Sequence, residues 1–186
     1  VMYPFYEADT ALVQLTPLDT TYLSGDVGYR NTMDIEFIAD FEVGNIFQNS
    51  NQEGNIMATT NNPELVFEGV RSGLATLNEI NTSFEIISSD FYELPTGNFP
   101  SYLEMNYRCE VPFQVLLKGT NSLSGNAALL SQIYINPKSE WNKIYIELTE
   151  SANQLNNADL TLMQVVFKAA LPENMTSATV YWDNIK

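Results

Sequence analysis

The carboxylates of this sequence are its first candidates for chemistry. Asp34, Glu36, Asp40 and Glu42 fall at even spacing, so a strand through them would carry all four on one face. Two carboxylates flanking a cleft at about 5 to 9.5 Å can cleave a glycosidic bond. Gathered with backbone carbonyls, carboxylates can instead hold a hard cation. The chain has no histidine, which removes Ser-His-Asp and Cys-His catalysis, histidine zinc sites and histidine general bases. A lyase could work with tyrosine beside lysine or arginine, but the few basic residues do not cluster with a tyrosine. The single cysteine, Cys109, permits no internal disulfide and reads as a small buried hydrophobe. The expectation is a protein that is not an enzyme.

Charge narrows the partners. Eight Lys+Arg stand against 23 Asp+Glu, a formal charge of −15. Nucleic-acid binding depends on clustered cations that displace counterions, so no nucleic acid is expected. Anionic lipid is disfavoured for the same reason, while binding of a hard cation is favoured. No apolar run reaches the roughly 18 residues of a membrane helix, so no membrane insertion by this stretch is expected.

The elements that would position these residues are strands. Period-two alternation or short apolar runs mark 34–41, 65–67, 73–77, 83–88, 101–108, 111–118, 131–135, 141–148, 160–169 and 177–185. Clusters of Gly, Asn, Pro and Ser separate them. Short helical turns are expected only near 64–71 and 153–158. Many short strands at near-regular spacing predict an all-β sandwich or barrel. The 186 residues are read as an N-terminal extension or edge strand over 1–33 and one β-sandwich over 34–186.

Three segments, taken in order, resemble a known family. They are Ala39-Asp40-Phe41-Glu42-Val43-Gly44, Phe67-Glu68-Gly69-Val70-Arg71-Ser72-Gly73-Leu74-Ala75, and Ala178-Thr179-Val180-Tyr181-Trp182-Asp183-Asn184-Ile185-Lys186. They look like the "D-F-E-x-G", "E-G-x-x-S/A-L" and "Y-x-D-N-I" stretches of jelly-roll carbohydrate-binding modules with a galactose-binding-like fold. Trp141-Asn142-Lys143-Ile144-Tyr145-Ile146 is similar to their pre-terminal strand. The resemblance covers roughly 37–186 and implies an all-β jelly-roll β-sandwich. It also implies a structural calcium held by Glu42, Glu68 and Asp183 with the carbonyls of Asp40 and Arg71. The other reading of these carboxylates is as acceptors for nearby backbone amides.

The resemblance further implies a glycan as partner, bound by aromatic faces with amides and charged groups alongside. The residues nominated for that contact are Tyr107, Tyr134, Tyr102, Tyr92, Arg108 and Gln114, with Phe91, Phe99, Lys118 and Gln132 beside them. An aromatic on an alternating strand serves equally as core or cross-strand packing. Trp141 and Trp182 are read as core. The expected protein is an extracellular or cell-surface module of bacterial type, a monomer or part of a larger chain. It could belong to a lipoprotein whose anchor lies outside this stretch. The alternative is a cell-surface structural or protein-interaction sandwich without sugar binding.

Overall fold

The computed structural model describes residues 38–50, 57–97 and 99–186. The expected extension over 1–33, and the first part of the expected strand over 34–41, lie outside the described residues. Among those described there are ten strands and one helix. The strands are β1 (Phe47–Asn49), β2 (Ala58–Thr60), β3 (Ser72–Asn78), β4 (Ser83–Ser88), β5 (Tyr102–Cys109), β6 (Phe113–Thr120), β7 (Ala127–Ile135), β8 (Lys138–Glu147), β9 (Leu162–Ala170) and β10 (Ser177–Asp183). The helix α1 (Thr149–Asn157) lies between β8 and β9.

Two five-stranded antiparallel sheets form a sandwich. Sheet I runs β1-β4-β9-β6-β7 and sheet II runs β2-β3-β10-β5-β8. The alternation read from the sequence decides which side chains fill the gap between them. On β5, Leu103, Met105, Tyr107 and Cys109 point inward, and Tyr102, Glu104 and Arg108 outward. Aromatic rings centre the core: Trp182 of β10 stacks on Phe167 of β9 at 5.2 Å, with Phe113 edge-on at 5.5 Å and Phe84 at 5.8 Å. Trp182 is therefore core, as its alternation predicts, whereas Trp141 is only half-buried on the outer side of sheet II. Cys109 is buried, and burial pushes its thiol up in pKa, so it is held as an unreactive thiol.

The structure corrects three expectations. Residues 38–41 are not a strand: they make one isolated bridge, Ala39 to Ile185. Residues 65–67 are irregular, because the neighbouring amides take side-chain partners: Ser72 Oγ accepts from Phe67 N–H, and Asp183 from Glu68 N–H. The helical turn expected near 64–71 is likewise a run of turns and bends. Two short strands, β1 and β2, lie in segments that composition marks as loop.

Helix α1 covers one end of sheet I. Its Ala152 and Leu155 are buried. Gly119 of β6 makes room for it, since a Cβ there would lie 2.8 Å from Leu160 O and 2.9 Å from Leu155 Cδ2. A bulge between β6 and β7 pairs Val115 with Ile133 and Leu116 with Ser131, leaving Gln132 out of the ladder. Ser151 of α1 donates to its Oε1 at 2.9 Å.

Candidate functional site

Three regions need separate description: one corner of the sandwich and the two outer sheet faces. The corner gathers the three segments singled out in the sequence. Ile38 and Ala39 N–H both donate to Ile185 O. Phe41 takes a positive φ of 63° and drives its ring into the core over Gly73, where an added Cβ would lie 2.5 Å from the ring. That turn delivers Glu42 to the 68–72 loop, where its Oε1 accepts from Val70 N–H at 2.8 Å and Arg71 N–H at 3.2 Å. From the other side Asp183 Oδ2 accepts from Ser72 Oγ at 2.7 Å and Glu68 N–H at 3.2 Å, and its Oδ1 from Asn184 N–H at 2.9 Å. Burial pushes the Asp183 carboxyl up, against the pull of these donors. Asn184 Nδ2 donates to Glu68 at 2.8 Å, and Asp40 Oδ1 accepts from Glu42 N–H.

All five residues expected at a calcium site thus lie around one turn. No group of three acidic side chains among the described residues is arranged to hold a metal. A calcium shell here would need backbone carbonyls such as those of Asp40 and Arg71 to reach its six to eight oxygens. In the arrangement described, the carboxylates serve backbone amides, the Ser72 hydroxyl and the Asn184 side-chain amide.

The outer face of sheet I is a groove. Ile87 of β4, Val166 of β9 and Leu116 of β6 lie side by side in register and form an apolar cluster separate from the main core. They are buried although they face away from the sandwich interior, because long polar neighbours shelter them. A depression of about 220 Å³ lies over this floor, lined by Ser50, Glu85, Ile87, Lys118, Leu129 and Val166 among others. Glu85 accepts from Ser50 Oγ and pairs with Lys168 at 3.1 Å. The Ser50 hydrogen bond is the largest cause holding Glu85 below the usual carboxylate range, with Lys168 adding to it against burial. Further along the same face Gln114 donates to Ser131 Oγ at 2.5 Å. Tyr134, directly across from Gln114, is 68% exposed.

The outer face of sheet II is aromatic. Phe67 packs on Trp141 with centroids 5.5 Å apart, and Trp141 on Tyr181 at 6.5 Å. The Arg108 guanidinium lies 5.9 Å from the Tyr181 ring centre. Further along, Tyr102 is 55% and Tyr145 60% exposed. Lys143 Nζ lies 5.3 Å from the Tyr145 ring centre and 2.6 Å from Glu104, which Lys186 also reaches at 3.2 Å. Burial alone would push Glu104 up, but hydrogen bonds from these lysines outweigh it and hold its pKa low.

The six residues nominated for ligand contact therefore do not form one site. Tyr134 and Gln114 share the face of sheet I, and Tyr102 and Arg108 share that of sheet II. Tyr107 is packed edge-on to Phe113 in the core, and Tyr92 is buried where it bridges to Met163. Neither buried tyrosine presents a ring face to solvent. Phe91 and Phe99 are exposed outside the strands. Tyr145, Glu85 and Lys168 were not singled out from the sequence. The alternation of β8 put Tyr145 outward, but only pairing with β5 sets it diagonal to Tyr102.

No protein-family model matches the chain, and no curated protein does. Solved structures do. One comes from a study of the promiscuous specificity of carbohydrate-binding modules of the β-sandwich superfamily. It aligns with 82% of this chain at 18% identity and a TM-score of 0.56, and this chain spans 61% of its length. Another is the family 11 carbohydrate-binding module from Clostridium thermocellum, in complex with a β-1,3-1,4-mixed-linked tetrasaccharide. It aligns over 81% of this chain and 92% of its own, at 14% identity and a TM-score of 0.51. At such identities the likeness is one of fold: residues 38–186 form a jelly-roll β-sandwich of the kind seen in carbohydrate-binding modules. Among the described residues no helix is long and apolar enough to cross a membrane.

Proposed function

We propose that this chain is a non-catalytic carbohydrate-binding domain that takes a segment of a polysaccharide or oligosaccharide on the outer face of sheet I. The observation that carries the reading is the groove itself. Its floor is apolar, Ser50, Glu85 and Lys118 line it with a hydroxyl and two charges, and Gln114, Ser131 and Lys168 extend the polar surface along the same sheet face. Tyr134 stands further along the same face, across from Gln114, with most of its side chain in water. Such a surface suits a sugar, whose C–H faces pack on apolar groups while its hydroxyls need paired donors and acceptors. The fold shared with carbohydrate-binding modules supports the same class of ligand, and an extracellular or cell-surface setting accords with it.

Native affinity electrophoresis against soluble β-1,3-1,4-mixed-linked glucan, β-1,4-galactan and a β-mannan tests this. Retardation by at least one is expected. Tyr134→Ala and Lys118→Ala should each weaken it about fivefold, the effect of losing roughly 1 kcal/mol of contact. Full mobility on every polysaccharide would reject the reading in favour of a sandwich that only supports or contacts other proteins.

Calcium belongs to this reading as a structural support at the corner, held by Glu42, Glu68 and Asp183 with the carbonyls of Asp40 and Arg71. Its support is the convergence of carboxylates from three separate segments on the 68–72 turn. A ligand that binds only the folded state raises its melting temperature. Calcium should therefore raise the Tm of chelator-treated protein, and Glu42→Gln should abolish the rise. An unchanged Tm at saturating calcium would leave the corner as a hydrogen-bonded latch alone.

A further inference from the structure

We infer that the outer face of sheet II is a second glycan-contact surface, built on Tyr102 and Tyr145, so that the domain can engage two sugar segments back to back. The class of ligand rests on the function proposed above; the location does not. Tyr102 pairs with Glu147 and Glu104 with Tyr145, so the two tyrosines are diagonal neighbours on one face, about 7 to 8 Å apart. Both are more than half exposed, while Leu103 and Ile146 between and beside them fill the core. Their side chains thus face water and add little to the interior.

The surroundings favour an uncharged occupant. Glu104 is matched by Lys143 and Lys186, and Lys143 also braces the Tyr145 ring. With the exposed Glu147 opposite Tyr102, two carboxylates stand against two lysines around the tyrosines, while the whole chain at −15 repels polyanions. The aromatic surface also has length. Trp141 lies four residues from Tyr145 on the same side of β8, about 13 Å along the strand. It carries Phe67, which is 45% exposed. A neutral extended glycan lying along β8 would meet rings at both ends of this stretch. Sheets of a sandwich are about 10 Å apart, so ligands on the two outer faces would not collide.

The test uses the full chain with mixed-linked β-glucan and β-1,4-galactan as neutral probes and polygalacturonate as an acidic one. Retardation in native gels is read beside turbidity, since a two-faced binder bridges polysaccharide chains. The variants are the Tyr102→Ser/Tyr145→Ser pair, the Tyr102→Phe/Tyr145→Phe pair that keeps both rings, and Tyr134→Ala. Near-UV circular dichroism and Tm verify folding in each. The wild type should be retarded by a neutral probe and cloud its solution. The serine pair should lose the turbidity and about threefold in retardation, and the phenylalanine pair should keep both. Turbidity and retardation unchanged in the serine pair would overturn the second surface and leave the sheet I reading standing. Retardation lost in the serine pair yet intact in Tyr134→Ala would support this surface and overturn the other. Retardation without turbidity in the wild type, or stronger retardation by polygalacturonate, would refute the inference. Full mobility on every probe would refute both.

Discussion

Gly69 and Gly125 share a backbone φ of 72° and differ in what surrounds them. Any L-residue in this left-handed region is strained, by about 1–3 kcal/mol in folded proteins. At Gly125 an added Cβ meets nothing within 4 Å, whereas at Gly69 it lands on the Glu42 carboxylate. Gly125→Ala should therefore cost about 1 kcal/mol, from backbone strain alone. Gly69→Ala should cost roughly twice that or more, because the Val70 and Arg71 amides also lose their acceptor. Thermal unfolding separates the two, since each kcal/mol is worth about 2–4 °C in a domain of this size. Equal losses would mean that Glu42 is not an anchor of the turn. At this scale the sequence was informative about where Glu42, Glu68 and Asp183 meet, because their convergence follows from a motif order tied to chain topology. It was less so for the tyrosines. Parity alone separates Tyr102 from Tyr107, five residues apart on one strand and hence on opposite faces. Which of them faces water is set by the partner sheet, which a single strand does not reveal.

Among the elements, β6 has the most demanding position, with β9 and β7 as neighbours in the sheet and α1 packed over its end. Its inward residue Gly119 touches Leu155 and Leu160, while the next outward residue, Lys118, lines the groove. Gly119→Ala should overpack the helix seat and cost about 1–3 kcal/mol. Chemical denaturation would show the loss as a lower midpoint, and an unchanged midpoint would mean that α1 shifts freely. The longer strands, β3 to β6 and β8 to β10, were legible because each combines alternation with flanking turn residues. β1 and β2 were not: three residues are too few to show a period, and their stability comes from pairing with β4 and β3. The failed strand at 65–67 has the opposite cause. Its composition is right, but side-chain acceptors capture the amides that a ladder would need.

For the whole molecule, the same jelly roll as the compared modules is reached with fewer than one residue in five identical. In this chain the fold rests on inward positions around Trp182, Phe167 and Phe113, together with the corner where Ala39 meets Ile185. Surface positions carry no such constraint, so the choice of face for a ligand was not legible from any one strand. The depression on sheet I forms only where β4, β9, β6 and β7 lie side by side.

The order of strands also bears on how the chain is made. β10, the last strand, occupies the middle of sheet II and joins β3 to β5. During synthesis, β3 emerges roughly 5 to 20 s before β10 at ordinary rates of elongation. Throughout that interval the facing edges of β3 and β5 have unpaired amides and carbonyls, a template for joining another nascent chain. β9 leaves the same gap between β4 and β6 in sheet I. Neither sheet can close until β9 and β10 leave the ribosome, so a shortage of free nascent-chain chaperone would be felt by this domain as aggregation during translation.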